Sequence, residues 1–227
     1  ADALAYKGVD VTLWGPFKDD IDQLSTSRTS PRLAEFTLDD SITATSNGHD
    51  ALADVDVAIN AIPTQFIRRV WAELASELPE GVPIGCVAKG IEIETQLLPT
   101  QILEESIGKG HAMCVLSGPT IATELVRRQP AVMVASSSDD SVSIQMQELF
   151  DVPWFRIYTH GDPLGVELAG ALKNVIAIAA GICDGMQLGD NAKSAMLARG
   201  LAEISRLGVE MGAQLETFFG IAGVGDL

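Results

Sequence analysis

Apolar positions recur along this chain with two different rhythms. In the first two thirds, short β-rich runs alternate with segments of helical period; afterwards only the helical period remains. Residues 9–14 alternate apolar and polar and predict a strand, followed by a short helix over 17–24 and a weak strand over 41–45. Residues 56–62 predict a buried strand stopped by Pro63, and Phe66, Ile67, Val70, Trp71 and Leu74 give 64–78 a helical stripe. Strand and helix then repeat: strands over 82–88, 111–116, 132–135 and 154–158, helices over 97–107, 120–128 and 140–149. Pro119 is expected in the first turn of the 120–128 helix, where its missing N–H costs nothing.

This alternation predicts βαβ units and a mostly parallel sheet. The expected fold class is α/β, a doubly wound Rossmann-type parallel sheet, followed by an all-α domain. The expected boundaries are 1–160 for a dinucleotide-binding domain and 161–227 for a helical substrate and catalytic domain. In the second, Asp162 is a candidate N-cap for a long helix over 165–185. Asp190 is a candidate cap for a helix reaching about Gly212, and a short helix lies near 215–219. The cleft between two such domains is where a cofactor and a substrate would meet.

Composition narrows the function. The chain has 227 residues, 47% of them hydrophobic and 20% charged, with a formal net charge of −16. That charge repels phosphate backbones, so nucleic acid and anionic membranes are poor partners. A small anion remains admissible, because local lysines and helix N-termini outweigh a distant field. Cys86, Cys114 and Cys183 are odd in number and form no CxxC, so they read as reduced core thiols of a cytoplasmic protein. His49, His111 and His160 lack metal-ligand spacing, so no metal site is expected. The apolar run 175–182 is too short to span a bilayer, and no stable membrane insertion is expected.

The candidate chemistry gathers in two places. One is Lys173, alone in the middle of GVELAGALKNVIAIAAGICDG. Its helical neighbours at steps of three and four are Val166, Ala169, Gly170, Ile176, Ala177 and Ala180, which offer it no charge. A buried ammonium needs a partner or an anion. The alternatives are a lysine that reaches water along its own stem, or one paired with Glu167 or Asp184. The other place is the carboxyl ends of the strands, where ligands bind in open α/β sheets. There stand Trp14-Gly15, residues 63–66, Lys89-Gly90 and residues 117–120. The GxGxxG fingerprint is absent, and Ala1 already lies in a helical pattern, so the chain is expected to be part of a longer protein.

The run ELAGALKN and its continuation resemble the NAD(P)-dependent glycerol-3-phosphate dehydrogenases. VTLW, IPTQFIRR, AKGIE, LSGPTIATE, FRIYTHGD and GIAGVGDL agree with that family in the same order. The resemblance implies that Lys173 is the catalytic general acid/base and that Asn174 beside it helps hold substrate. It implies that Lys89 contacts both cofactor and substrate, that Gly118, Thr120 and Asp226 contact substrate, and that Phe66 and Ala122 contact the dinucleotide. It further implies NAD or NADP as cofactor, a phosphorylated small-molecule substrate, a homodimer, and supply of glycerol 3-phosphate for phospholipid synthesis. Gly15-Pro16 and Thr29-Ser30-Pro31 depart from many relatives, which leaves the choice between NAD and NADP open. A related dehydrogenase for another small hydroxy or keto acid, and a non-catalytic metabolite-binding protein, are the alternatives.

Overall fold

A computed structural model describes residues 1–30 and 33–227; Pro31, at the end of one departing stretch, lies outside the described residues. The chain opens with α1 (Asp2–Tyr6), β1 (Val11–Trp14) and α2 (Lys18–Ser27). The strands β2 (Thr29–Ser30) and β3 (Leu33–Thr37) form an antiparallel pair that the pattern of apolar positions does not announce. Next come β4 (Ile42–Thr45), the short helix α3 (Gly48–Leu52) and β5 (Ala58–Asn60). A 3-10 turn at Thr64–Phe66 leads into α4 (Ile67–Leu74), then β6 (Ile84–Cys86), α5 (Pro99–Ile107) and β7 (Met113–Ser117). The sheet-bearing portion closes with α6 (Ala122–Leu125), β8 (Ala131–Ser136), α7 (Asp140–Phe150) and β9 (Phe155–His160). Helices α8 (Pro163–Gly185), α9 (Asp190–Glu210) and α10 (Leu215–Phe218) follow, with a 3-10 turn at Val224–Asp226.

Five strands make one sheet in the order β5-β6-β7-β8-β9, and β1 pairs with β4 in a separate parallel ribbon. All neighbours in the larger sheet run parallel except β7 and β8. A parallel connection needs a crossover of a dozen or more residues, usually helical. The link between β7 and β8 holds only the four-residue α6, and the chain turns back antiparallel.

Alternate residues of the strands face two different cores, as the pleat requires. Cys114 and Leu116 of β7 and Met133 and Ala135 of β8 pack with Met146 and Phe150 of α7 and Leu4 of α1. Val115 and Val134, pointing the other way, pack with Val166 of α8 and with Ala222. Helices α4 and α5 bury Ile67, Val70, Trp71, Ile102 and Leu103 on Ala58, Ile84 and Cys86. Both faces of the sheet are thus covered, and the α/β reading with a helical region after it holds.

The structure departs from the sequence pattern at α6, α9 and α8. Helix α6 starts at Ala122, so Pro119 precedes it instead of occupying its first turn. The N-cap of α9 is Gly189, whose φ of 83° suits a residue without Cβ, and Asp190 is the first helical residue. Helix α8 is buried mainly in its first half: Val166, Leu168 and Ala169 are inside, and beyond the middle Ile176 is buried but Val175, Ile178 and Ile182 are exposed. By length and composition this 23-residue helix could cross a bilayer, unlike the shorter run read from the sequence; it packs on α9, α10 and β7. Asp162 does cap α8, with its Oδ1 accepting from the Gly165 N–H at 2.9 Å. Its Oδ2 accepts from the Gln214 N–H and the Thr217 hydroxyl, which ties α10 to the same point.

Candidate active site

Strands β5, β6 and β7 run parallel, so their carboxyl ends open on one edge of the sheet. Lys89 leaves the end of β6. Its carbonyl accepts from the Thr64 hydroxyl at 3.0 Å, and the next residue, Gly90, has φ +134°. Gly118 leaves the end of β7. A Cβ there would stand 2.7 Å from the Val132 carbonyl oxygen and 2.9 Å from Met133 Cα, so only glycine lets this turn lie on β8. The Gly118 carbonyl then accepts from Lys89 Nζ at 3.3 Å and from the Thr120 hydroxyl at 3.2 Å.

The helical region brings two further groups to this spot. Lys173 lies midway along α8. Asp226 lies on the 3-10 turn after α10, and Ala222, buried beside Val115 and Val134, docks that loop on the sheet. Asp226 Oδ2 lies 2.5 Å from Lys173 Nζ and 2.5 Å from Lys89 Nζ. Lys173 Nζ also donates to the Asp226 backbone carbonyl at 2.7 Å. The side chains are 12% exposed for Lys173, 24% for Lys89 and 7% for Asp226, so the trio is largely out of water without being sealed.

Two ammonium groups on one carboxylate leave one net positive charge, which suits an anionic ligand. Burial holds the Lys89 ammonium below its ordinary range; its bond to Asp226 opposes that shift and the nearby Lys173 adds to it. Amines held out of water beside one carboxylate are groups of the kind that pass a proton to or from a carbonyl or hydroxyl oxygen.

Lys173 therefore pairs with Asp226, and with neither of the partners foreseen for it on its own helix. Glu167 accepts from the Thr100 N–H at 2.8 Å and from the Thr100 hydroxyl at 2.6 Å, and Asp184 pairs with Lys193. Of the residues singled out in the sequence, Lys173, Lys89, Asp226, Gly118 and Thr120 come together. Asn174 follows Lys173 on the exposed side of α8. Phe66 and Ala122 stand apart from the trio, both exposed. The turn carrying Phe66 is nevertheless fixed beside the Lys89 loop, since Gln65 bonds Ile91 and Ile93 there. The Phe66 ring is 49% exposed with the Arg69 guanidinium 5.6 Å from its centroid, a flat apolar surface at a strand end. Such a platform, the glycine turns and Lys89 fit a dinucleotide laid across the carboxyl ends.

Sequence reasoning did not foresee the Glu167–Thr100 clamp, although a carboxylate on an apolar helix was a signal that could have found it. Burial pushes the Glu167 carboxyl up to about 7. It also missed the buried set in which Asn60 accepts from Trp71 Nε1 at 2.9 Å and donates to Cys86 Sγ. Cys86 and Cys114 are buried, with thiols pushed up to about 12 by burial, whereas Cys183 is half-buried. His49 bonds Glu77, His111 bonds the Val82 carbonyl, and His160 accepts from the Asp162 N–H.

Residues 1–143 match the family described as NAD-dependent glycerol-3-phosphate dehydrogenase N-terminus, and residues 162–227 match its C-terminus. The chain is 46% identical to glycerol-3-phosphate dehydrogenase [NAD(P)+] of Staphylococcus carnosus, over all of this chain and 69% of that protein. It is 44% identical to the same enzyme of Staphylococcus aureus, again over all of this chain and 69% of that protein. Among solved structures, glycerol-3-phosphate dehydrogenase from Coxiella burnetii superposes with a TM-score of 0.94 at 31% identity, covering 99% of this chain and 69% of that one. The Dunaliella salina enzyme superposes with a TM-score of 0.89 at 26% identity, covering 99% of this chain and 42% of that one.

Proposed function

The chain belongs to the NAD-dependent glycerol-3-phosphate dehydrogenase family, and from that premise we propose how its residues carry the reaction. The activity is interconversion of glycerol 3-phosphate and dihydroxyacetone phosphate with NAD(P). In our reading residues 1–160 hold the dinucleotide and 161–227 bring the proton-transfer group. Phe66, Lys89 and Ala122 hold the cofactor along the strand ends. Bound there, its nicotinamide ring supplies the two-electron chemistry at C2 of the substrate.

Lys173 is the general acid/base. In the oxidative direction its neutral amine accepts the C2 hydroxyl proton; in the reductive direction its ammonium returns one to the C2 oxygen. Lys89 holds the same end of the substrate from the sheet side, with its ammonium steadied by Gly118 and Asp226. Asp226 orients both amines. Gly118, Thr120 and Asn174 contact the substrate, and the net positive charge of the trio favours its anionic form.

The observation that carries this reading is the shared carboxylate: Lys173 Nζ and Lys89 Nζ, from different portions of the fold, lie 2.5 Å from one oxygen. Lys173→Ala is expected to abolish oxidation of NADH or NADPH by dihydroxyacetone phosphate while leaving the fold and nucleotide binding intact. Near-normal kcat in that variant would reject the role. Running the same assay with small keto acids separates this activity from that of a related dehydrogenase. We further propose that the enzyme is a cytoplasmic homodimer that supplies glycerol 3-phosphate for phospholipid synthesis. In this reading α8 is packed within the fold on α9, α10 and β7, and no segment is inserted in a membrane.

A further inference from the structure

Helix α8 carries Lys173, but Lys89 belongs to the sheet. The trio forms only if α8 stands at the right height and rotation on the sheet-bearing portion. Among the described residues, the polar link from α8 to that portion is made by Glu167. Its side chain is inside the protein at 4% exposure, and both its oxygens are taken by Thr100, one by the backbone N–H and one by the hydroxyl. Thr100 lies in the first turn of α5, where N–H groups lack helical acceptors and the helix end favours a negative charge. A carboxylate with two short hydrogen bonds to one residue fixes direction as well as distance.

Glu167 precedes Lys173 by six residues, about 9 Å along the helix axis. Between them lies Gly170, which packs against the ends of β6 and β7. A Cβ on Gly170 would sit 3.0 Å from Ser117 Oγ and 3.5 Å from Lys89 Cγ, so the helix backbone rests against the stem of Lys89. Contact at Gly170 sets how close α8 comes, but it makes no hydrogen bond that would fix the helix against sliding and rotation. The clamp at Glu167 supplies that resistance.

We propose that Glu167 is a positioning residue: clamped by Thr100, it sets the register of α8 so that Lys173 and Lys89 meet on the Asp226 carboxylate. The proposal rests on the reading of Lys173 as the proton-transfer group. Misplacing a reacting group by about 1 Å costs on the order of a hundredfold in rate.

The test uses the purified enzyme with dihydroxyacetone phosphate and NADH or NADPH, whichever it prefers, together with the same nucleotide deuterated at the transferred position. Glu167→Gln replaces one acceptor with a donor that faces the Thr100 donors, and Thr100→Val removes the hydroxyl from the other side. Each is expected to lower kcat at least tenfold, to leave KM for the nucleotide within twofold, and to raise the primary isotope effect on kcat, because the chemical step becomes limiting. Thr100→Ser keeps both donors and should restore wild-type values, and the double variant Glu167→Gln with Thr100→Val should be no slower than the slower single. A clamp that only holds the fold together would instead lower the fraction of active enzyme, with the isotope effect unmoved; that result, or unchanged kcat in folded Glu167→Gln and Thr100→Val, overturns the proposal. Lys173→Ala in parallel separates the two ideas. If it retains turnover, the role of Lys173 fails; if it is dead while the clamp variants behave as wild type, only the positioning role fails.

Discussion

Replacing Asp226 by Asn removes one negative charge and leaves two amines facing each other across an amide. Both nitrogens lie 2.5 Å from the same carboxylate oxygen, so they are within about 5 Å of one another. At that separation, with an effective dielectric constant of about 20, two ammonium groups repel by about 3 kcal/mol. Wild type offsets that repulsion through the attraction of both amines to Asp226. Losing this offset costs about 3 kcal/mol, the low end of the roughly 3–5 kcal/mol for removing one partner of a buried ion pair.

The pH dependence has a definite sign. Lys89 already titrates below its ordinary 10.5 because burial outweighs the help from Asp226. In Asp226→Asn the contributions that raise its pKa vanish, while burial and Lys173 remain. A lysine whose pKa is depressed by folding loses no stability above its unfolded pKa. It loses progressively more as pH falls from there toward the folded value. The variant should therefore melt about 6–12 °C below wild type near pH 7, and that deficit should shrink as pH approaches 10.5. Scanning calorimetry of both proteins across this range reads the difference directly. A deficit that stays constant with pH would mean that the two amines do not feel each other through Asp226, and the electrostatic account of the site would fail.

Two further variants probe the supports of the trio. In Gly118→Ala the new methyl would meet the backbone of β8 at 2.7 Å and 2.9 Å, so about 1–3 kcal/mol of stability should be lost, read as a lower urea midpoint at unchanged m. The displaced carbonyl, an acceptor for Lys89, should also raise KM for the substrate. Asp162→Ala removes the α8 cap and leaves the Gln214 N–H and Thr217 hydroxyl without their acceptor; it should cost about 2–3 kcal/mol in equilibrium unfolding, more than a simple N-cap.

Buried strands and long amphipathic helices were legible in the sequence because burial itself imposes the rhythm. The strands Ala58–Asn60 and Ile84–Cys86 and helices α5 and α9 lie within their expected segments, whereas Met113–Ser117, α7 and α8 overrun theirs by one or two residues. The β2–β3 pair and α3 were not legible: each element has only two to five residues, too few for an apolar period to mark it. The end of α6 was overcalled because residues 126–128 turn without continuing the helix, with Arg128 at φ 54°. At the site, Lys173 stood out as a charge among apolar neighbours, and Lys89 and Gly118 as polar endings of buried strands. Asp226 carries no such mark in its glycine-rich turn. Its part depends on a contact 137 residues away, which only the folded chain discloses, and it was reached through resemblance. Glu167 carried the same mark as Lys173, but helical spacing could only offer partners on its own helix, whereas its true partner comes from α5.

The charge arrangement has a consequence for how the substrate arrives. These 227 residues carry −16, yet the Lys89–Lys173–Asp226 trio sums to one positive charge. A phosphorylated triose is thus turned away at long range and drawn in at short range, with the crossover set by the Debye length, about 8 Å in physiological salt. Dissolved ions weaken the outer repulsion first, because the inner attraction acts across distances too small for them to screen. Encounter between this enzyme and its anionic substrate should therefore tolerate, or even gain from, a saline medium that slows most pairs of oppositely charged molecules.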